Sequence, residues 1–313
     1  SVKCKRVAQI DEGAYKTEAK YGGPEYETLA TFGSYCGISD MDAIIHANAL
    51  CNMYGMDTIS CGATISWAME CWAEGKLTEE DTGGIELTYG SAEAMVKMTG
   101  MIAKREGFGK ILAEGSQKAA QIIGRGTEDY LITSKGQEAP AHMPQVKRSL
   151  SVIYAANPFG ADHESSEHDP GYKAYPERMK QIGLTNPQEK LALNEEMMRF
   201  AMVTQHLSSA VDSLSVCAFI FGASFQLYDA DKLVEVVNAV TGWDTDITEI
   251  LAVGERRLNM LRAFNSREGI GRESDTLPKK MFKRPLEGGR SDGYSLDEKE
   301  WEAALEDYYR LCD

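Results

Sequence analysis

The stretch NPFGADHESSEHDP, residues 157–170, places histidines and carboxylates almost side by side. Its ionisable residues are Asp162, His163, Glu164, Glu167, His168 and Asp169. Imidazole and carboxylate groups bind metals and also transfer protons in catalysis. The same residue types are common in polar surface loops. The stretch alone therefore leaves three interpretations open: a metal site, an acid–base site and a solvated loop.

Cysteine is the second residue type that could do chemistry. The chain contains 7 cysteines and no CxxC pair. An odd number of cysteines in a chain of this length does not suggest a disulfide framework, and the absence of CxxC argues against a zinc ribbon. This cysteine usage favours a reducing compartment, and we predict a cytoplasmic protein.

Composition excludes several classes of function. With 313 residues, 43% of them hydrophobic and 26% charged, the chain has the composition of a globular protein with one large domain or two ordinary ones. A net charge of −15 argues against nucleic acid as a partner, because phosphate binding needs a basic surface. No apolar run reaches the length of about 18–20 residues that a membrane helix needs, so no membrane partner is predicted.

Helices must position these side chains, because cap and stop signals recur along the chain. In the first half, the predicted helices run from a cap at Ser39 to Gly55, from Asp57 or Thr58 to Gly75, and from Ser91 to Gly107. In the second half, helical spacing begins at residue 186 in the stretch 186–222, where the predicted helix ends near Cys217, and extends over 229–242, 245–269 and 295–313. Convincing strands are few. The sequence predicts an all-α fold.

A break in the helical pattern suggests a domain boundary. Residues 124–144, GRGTEDYLITSKGQEAPAHMP, contain glycines and prolines that interrupt helices. We place the boundary near residue 132. The prediction is two helical lobes, residues 1–132 and 133–313.

The order of several motifs resembles the tungsten-containing aldehyde ferredoxin oxidoreductases over nearly the whole chain. The motifs are GGPEYETLATFGSYCGI (22–38), CNMYGMDTIS (51–60), EGFGKILAEGSQKAA (106–120), KGQEAPAHMP (135–144), NPFGADH (157–163), DSLSVC (212–217) and REGIGRESDTLPKKMF (267–282). Each motif alone is a weak signal, but their shared order is a strong one.

The resemblance implies a three-domain protein, of which this chain looks like the two helical domains, 2 and 3. In the family, a β-rich N-terminal domain is the base for a bis-pterin tungsten cofactor. We therefore expect the chain to be part of a longer protein, with its own N-terminal domain as a partner. We expect neither the tungsten (or molybdenum) cofactor nor the iron–sulfur cluster to bind to residues 1–313 alone.

The resemblance also assigns two cysteines to a [4Fe–4S] cluster. Cys4 matches the third ligand of the family's CxxCxxxC motif, and Cys217 matches the distant fourth ligand. Thiolates are soft donors that suit iron. By spacing alone, both could be unrelated buried cysteines. The other cysteines match no ligand position and are interpreted as packing residues: Cys36, Cys51, Cys61, Cys71 and Cys312.

Two motifs resemble the family's pterin-contacting sequences. In CNMYGMD, Gly55 and Asp57 match the end of DxxGLD, and Asn52 replaces its first aspartate. In DSLSVC, Asp212 and Cys217 match DxxGLC. There the Gly–Leu pair is replaced by Ser–Val, which raises the question of whether the backbone can still enter the positive φ region that glycine favours. Asp57 could also be a helix N-cap, and both roles are compatible.

The family's active-site residues match Glu27 in GPEYET and His163 in NPFGADH. A carboxylate near the reacting aldehyde can accept a proton, and an imidazole can donate a hydrogen bond to the developing oxyanion. The stretch of residues 157–170 is then an active-site loop, and its remaining ionisable residues are polar loop residues. His46, His142 and His206 are interpreted as structural.

The resemblance predicts oxidation of aldehydes to carboxylic acids with ferredoxin as electron acceptor. Two alternatives are a relative that reduces activated aromatic rings in a larger complex, and a helical docking module without a redox role. A carboxylate–histidine metallohydrolase built on residues 162–169 ranks last. The substrate, the choice between tungsten and molybdenum, and the formation of a homodimer are left open.

Overall fold

Helices dominate the computed structural model, which describes residue 4 and residues 6–313. About 56% of the chain is helical, so the all-α prediction is confirmed. The chain forms two compact units, a first unit that ends at Ala141 and a second unit, His142–Asp313. Among the described residues, no helix is long and apolar enough to cross a membrane.

The first unit is built from helices and one small hairpin. Its elements are α1 (Tyr26–Thr28), α2 (Met41–Tyr54), α3 (Thr58–Ala73), α4 (Glu79–Thr82), α5 (Ala92–Lys104), α6 (Gly109–Leu112), α7 (Ser116–Ile123), β1 (Thr133–Ser134) and β2 (Gln137–Glu138). The strands are antiparallel, with Thr133 opposite Glu138. Shorter helical segments are the 3₁₀ turns Ala19–Tyr21 and Thr127–Tyr130 and the π-helix Leu29–Ser34.

Residues 133–141 pack with the first unit, although the predicted boundary lies at residue 132. The reason is Glu138, whose carboxylate is buried. Its Oε1 accepts hydrogen bonds from the backbone N–H and hydroxyl of Ser116 at 2.8 and 2.7 Å, and from the Thr64 hydroxyl at 3.1 Å. A buried carboxylate needs such donors, so the hairpin is fixed to α3 and α7.

Side-chain caps set most of the helix starts in the first unit. Asp57 caps α3 and Ser91 caps α5, in agreement with the sequence prediction. The predicted Ser39 cap is wrong by one residue, because the carboxylate of Asp40 accepts from the N–H groups of Asp42 and Ala43. The core beneath these helices contains the buried thiols of Cys36, Cys51, Cys61 and Cys71, as expected of packing residues.

The second unit surrounds the long helix α11. Its helices are α8 (Arg148–Ala156), α9 (Pro170–Ala174), α10 (Pro176–Gln181), α11 (Glu195–Ser213), α12 (Ala230–Thr241), α13 (Ile247–Arg267), α14 (Lys279–Lys283) and α15 (Glu298–Cys312). Two 3₁₀ turns, Arg272–Ser274 and Gly289–Ser291, join the last helices.

α11 packs against α8, α13 and α15. Its crossing with α13 is so close that a Cβ atom at Gly254 would lie 1.8 Å from the carbonyl oxygen of His206. The Ser209 hydroxyl donates to the Gly254 carbonyl across the same crossing at 2.9 Å. The end of α11, which carries Asp212 and leads into the turn with Cys217, is therefore held by a tight helix pair.

Candidate functional site

Glu27 is a buried carboxylate at the start of an irregular helical segment. It lies in α1, directly before the π-helix Leu29–Ser34, and the residue is 9% exposed. Its Oε2 accepts a hydrogen bond from the backbone N–H of Ala141 at 2.8 Å. π-Helical turns are rare and are frequent at functional sites. The carboxylate is thus fixed by backbone, both through its own helix and through the segment after β2.

Thr31 fastens the π-helix to α3. Its hydroxyl lies 2.9 Å from the Glu27 carbonyl and 3.1 Å from the Thr58 carbonyl. On the facing side, a Cβ atom at Gly62 would come within 2.8 Å of the Thr31 side chain. The absence of a side chain at Gly62 lets α3 approach, and this approach fixes the backbone that carries Glu27.

The motif CNMYGMD forms the turn between α2 and α3, with its polar side chains exposed to solvent. Gly55 adopts φ 69°, and the N–H of Met56 reaches back to the Cys51 carbonyl at 2.9 Å. This is a Schellman helix end. Asp57 follows at once and caps α3 by accepting from the Ser60 N–H at 2.7 Å. The side chain of Asn52 donates to the Asn48 carbonyl of its own helix at 2.9 Å.

The motif DSLSVC forms the same kind of turn at the end of α11. Ser215 adopts φ 55°, and the N–H of Val216 reaches the Val211 carbonyl at 3.3 Å. The left-handed conformation is therefore kept although serine stands where the family motif has glycine. Asp212 pairs with Arg257 at 3.3 Å.

Both predicted cluster ligands carry exposed, free thiols. Cys4 is exposed in the first unit, and Cys217 is exposed at the turn after α11. These two thiols contrast with the four buried core cysteines and with Cys312, which is half-buried in α15. Exposure makes Cys4 and Cys217 accessible to iron.

His163 is mostly buried and has a carboxylate partner. Its side chain is 14% exposed, and its Nε2 lies 3.1 Å from Oε1 of Glu164. This contact with His163 is the main reason why the pKa of Glu164 is lowered, against the opposing effect of burial. Glu164 is therefore ionised at neutral pH and favours a proton on Nε2 of His163.

Two further histidines surround His163. The ring of His142 lies 4.5 Å from the rings of both His163 and His168, measured between centroids. The ammonium of Lys147 lies 3.0 Å from Nδ1 of His142 and 3.0 Å from Nδ1 of His168. A metal ion bound by these two Nδ1 atoms would have to replace the ammonium, which argues against the metal-site interpretation at this point.

A cavity of about 70 Å³ adjoins this histidine cluster. His163, Glu164 and His168 line one part of it, and Asp212, at the end of α11, lines another. Such a volume accommodates a few water molecules or a small polar group. The structure thus brings His163 and Asp212, predicted from separate motifs, to one cavity.

Each unit collects its own predicted residues. Asn52, Gly55 and Asp57 share one turn of the first unit, and Asp212 and Cys217 share one turn of the second. The proximity of Cys4 to Cys217, and of Glu27 to His163, stays a prediction. Sequence reasoning missed Lys147 and the pairing of Glu164, and it treated His142 and His168 as structural or loop residues.

A family model described as aldehyde ferredoxin oxidoreductase, domains 2 and 3, matches residues 1–313. A tungsten-containing aldehyde ferredoxin oxidoreductase of Pyrococcus abyssi is 35% identical over 294 residues, covering 92% of this chain and 46% of the relative. The WOR-like subunit of an aliphatic sulfonate oxidoreductase of Pyrococcus furiosus is 26% identical, covering 98% of this chain and 46% of that protein. The chain thus spans about half the length of these curated relatives.

One solved structure has the same fold. It is the active-site complex BamBC of benzoyl coenzyme A reductase with 1,5-dienoyl-CoA, with a TM-score of 0.69. The match covers 92% of this chain and 46% of that chain, at 19% identity. At this identity the likeness establishes the fold alone.

Proposed function

Because the chain belongs to the aldehyde ferredoxin oxidoreductase family, we propose that it is the helical part of an enzyme that oxidises aldehydes to carboxylic acids. Electrons pass to ferredoxin, and an N-terminal domain completes the enzyme. The match of the family model to residues 1–313 carries the proposal. The tungsten-containing relatives support tungsten as the metal, and the metal group of the proposal is tungsten, or molybdenum, held by pterins.

The exposed turns after α2 and α11 fit a pterin group. Asp57 and Asn52 at the first turn and Asp212 at the second present polar side chains to solvent beside rigid helix ends. Amide and carboxylate groups of this kind can hydrogen-bond the polar edge of a pterin. These three residues would hold the pterins.

The exposed thiols fit half of a [4Fe–4S] cluster. Such a cluster needs about four thiolates, and Cys4 and Cys217 are the exposed cysteines among the described residues. The remaining ligands would come from outside residues 1–313, in agreement with a chain that spans about half of its relatives. Cys4 and Cys217 would be two of the cluster's ligands.

The reaction consumes an aldehyde and water and produces a carboxylate, an electron pair and protons. When bound, the metal–pterin group supplies the two-electron redox chemistry. The buried carboxylate of Glu27 accepts a proton from the attacking water, and its hydrogen bond from Ala141 holds it in one orientation. His163 in its charged form keeps its Nε2–H towards Glu164 and can donate its other N–H, at Nδ1, to stabilise negative charge on the substrate oxygen.

An activity assay on the full-length protein tests this proposal. The protein is purified without oxygen, and reduction of a viologen dye is followed with aldehydes of increasing size. We expect aldehyde-dependent dye reduction and release of the matching acid. A metal-loaded protein that oxidises no aldehyde, but turns over an aromatic thioester or a sulfonate, would overturn the aldehyde assignment within the same family.

Replacement of Cys217 by alanine tests the cluster assignment. In the full-length protein, Cys217→Ala should lose the electron paramagnetic resonance signal of the reduced cluster, because a ligand is removed. Cys312→Ala is the matched control, since that thiol is half-buried on α15 and should leave the signal intact. A normal signal in Cys217→Ala would show that Cys217 is no ligand.

A further inference from the structure

Lys147 lies at the centre of a histidine cluster in the second unit. Its Nζ is 3.0 Å from Nδ1 of His142 and 3.0 Å from Nδ1 of His168. Lys147 is itself half-buried, just before α8. One ammonium thus contacts the Nδ1 atom of each of two imidazole rings.

The chemistry of an ammonium fixes the direction of both contacts. A lysine ammonium has hydrogen-bond donors and no acceptor, so each Nδ1 that it contacts must be an accepting, unprotonated nitrogen. In a neutral imidazole the proton then lies on Nε2. His142 and His168 are both held in the Nε2–H form, and protonation at Nδ1 would turn a hydrogen bond into a repulsion between two cations.

His163 differs from its two neighbours in the charge of its partner. Its Nε2 faces the carboxylate of Glu164 at 3.1 Å, while His142 and His168 face an ammonium. A carboxylate favours the imidazolium form, whereas an ammonium opposes it. The three rings lie within 6 Å of one another, with centroid distances of 4.5, 4.5 and 5.9 Å. The partner of His163 favours an added proton, whereas the partner of His142 and His168 opposes it.

We propose that Lys147 makes His163 the proton-exchanging histidine of this cluster, by holding Nδ1 of His142 and of His168 as hydrogen-bond acceptors. Lys147 is then a positioning residue. It prevents the neighbouring rings from taking up the proton that His163 receives. Protons that arrive at the cavity are directed to the ring with the carboxylate partner.

The behaviour of His168 supports this assignment. Burial, together with the positive charges of Lys147, His142 and His163, lowers the pKa of His168 to about 4, against the opposing charge of Glu164. The folded-state pKa lies below the ordinary histidine value of about 6.5. Folding is therefore opposed by protonation of His168, and this destabilisation develops as the pH falls from about 6.5 towards 4.

Other charged groups lie close to the cluster, on its own loop and on α11 and α13. They are Asp162 and Glu167 of the same loop, Asp212 at the end of α11, and Arg257 of α13, which pairs with Asp212. Glu167 is buried, which raises its pKa, and it accepts a hydrogen bond from the backbone N–H of His168 at 2.9 Å. The contact of Glu167 is with the backbone of His168 and not with its ring, so it leaves the effect of Lys147 on that ring in place.

Nitrogen-15 NMR of the histidines tests the proposal directly. The chain has 5 histidines, whose ring signals are assigned with single His→Gln variants. Two-bond proton–nitrogen spectra report the tautomer and charge of each ring from about pH 5 to about pH 8. In the wild type, we expect His142 and His168 to keep the Nε2–H form throughout, while His163 titrates.

Two lysine variants and one control sharpen the test. In Lys147→Met, His142 should begin to titrate with a midpoint within about one unit of the ordinary value, whereas the pKa of His168 should rise but stay low, because burial is the larger cause of its shift. Lys147→Arg keeps the charge and the donors and should restore the locked rings. Lys173→Met, which removes a surface lysine paired with Glu189, should change none of the cluster titrations.

The wild-type titration decides the proposal even if Lys147→Met does not fold. Titration of His142 or His168 in the wild type near the ordinary pKa would overturn it, and so would a folded Lys147→Met in which His142 does not titrate and the pKa of His168 does not rise.

The catalytic consequence of the lysine rests on the proposed function. In the full-length enzyme, the pH profile of aldehyde turnover should gain a second titration step in Lys147→Met and recover in Lys147→Arg. An enzyme that lacks aldehyde activity would overturn the proposed function alone, because the ring titrations are measured on the protein without substrate. An unchanged pH profile in an active Lys147→Met enzyme would instead show that Lys147 does not affect the catalytic role of His163.

Discussion

The turns after α2 and α11 have the same backbone conformation but are built from different residues. Each closes its helix with a hydrogen bond that spans five residues, Met56 to Cys51 in the first and Val216 to Val211 in the second. Each has a residue with positive φ before that donor, Gly55 in one turn and Ser215 in the other. The predicted ligands Asp57 and Cys217 follow at the same position.

This comparison shows what the family's Gly–Leu pair does. The glycine supplies a left-handed helix end, and the next residue places an apolar side chain against the helix. Met56 and Val216 are both half-buried, as this role requires. Serine in the left-handed region is tolerated at a cost of about 1–2 kcal/mol. The substitutions at 215 and 216 therefore preserve the geometry that presents Cys217.

The two turns differ in how they hold their first polar residue. Asn52 bonds to the carbonyl of Asn48 in its own helix, whereas Asp212 pairs with Arg257 of α13. The first turn depends on local backbone. The second depends on a charge from another helix. The candidate catalytic residues show the same contrast: the Glu27 carboxylate is fixed by a backbone N–H, whereas the loop of His163 is arranged by charged side chains.

Gly55→Ala should show the largest effect among the turn variants. The new side chain meets no heavy atom within 4 Å, so the loss reflects only the left-handed backbone. We expect the free energy of unfolding to fall by about 1–2 kcal/mol in urea denaturation. Gly100→Ala is the matched control: it lies inside α5, also in open space, and should raise stability by about 0.5–1 kcal/mol. Equal effects at both positions would contradict the account of the turn.

Removal of the α3 cap should have an intermediate effect. Asp57→Ala loses the hydrogen bond to the Ser60 N–H and should lower the free energy of unfolding by about 1 kcal/mol. Asp57→Ser keeps a capping oxygen and should retain most of the stability. If Asp57→Ala is as stable as the wild type, Asp57 is no cap and only its proposed pterin contact remains.

Ser215→Gly should have the smallest effect, in the opposite direction. Relief of the left-handed strain exceeds the entropy that glycine adds to the unfolded chain, so we expect a gain of about 0.5 kcal/mol. The same denaturation experiment measures it. A loss of stability would show that the hydroxyl or Cβ of Ser215 makes a contribution that the comparison with Gly55 does not include.

The helices were predictable because their signals are local. Asp57, Ser91 and Gly55 lie within a few residues of the helix ends that they determine. Local signals also explain the errors: Ser39 and Asp40 are both good caps, and only the folded chain shows that Asp40 is used. Likewise, α11 begins at Glu195 after an Asn194 cap, although helical spacing begins at residue 186.

The side-chain partners were not predictable, because they come from distant segments. The N–H that orients Glu27 belongs to Ala141, 114 residues later. The contact of Lys147 with His168 spans 21 residues across a loop and a short helix. No residue pattern specifies such contacts, whereas the family motifs did indicate Glu27 and His163 themselves.

Replacement of Glu27 by glutamine in the full-length protein tests the central claim most directly. The amide is nearly isosteric and can still accept from the Ala141 N–H, but it cannot act as a base. We expect aldehyde turnover to fall by about 100-fold or more, with unchanged metal content. Glu25→Gln is the control, since that carboxylate is exposed and pairs with Arg6. Wild-type turnover in a metal-loaded Glu27→Gln enzyme would contradict the assignment of Glu27 as the catalytic base.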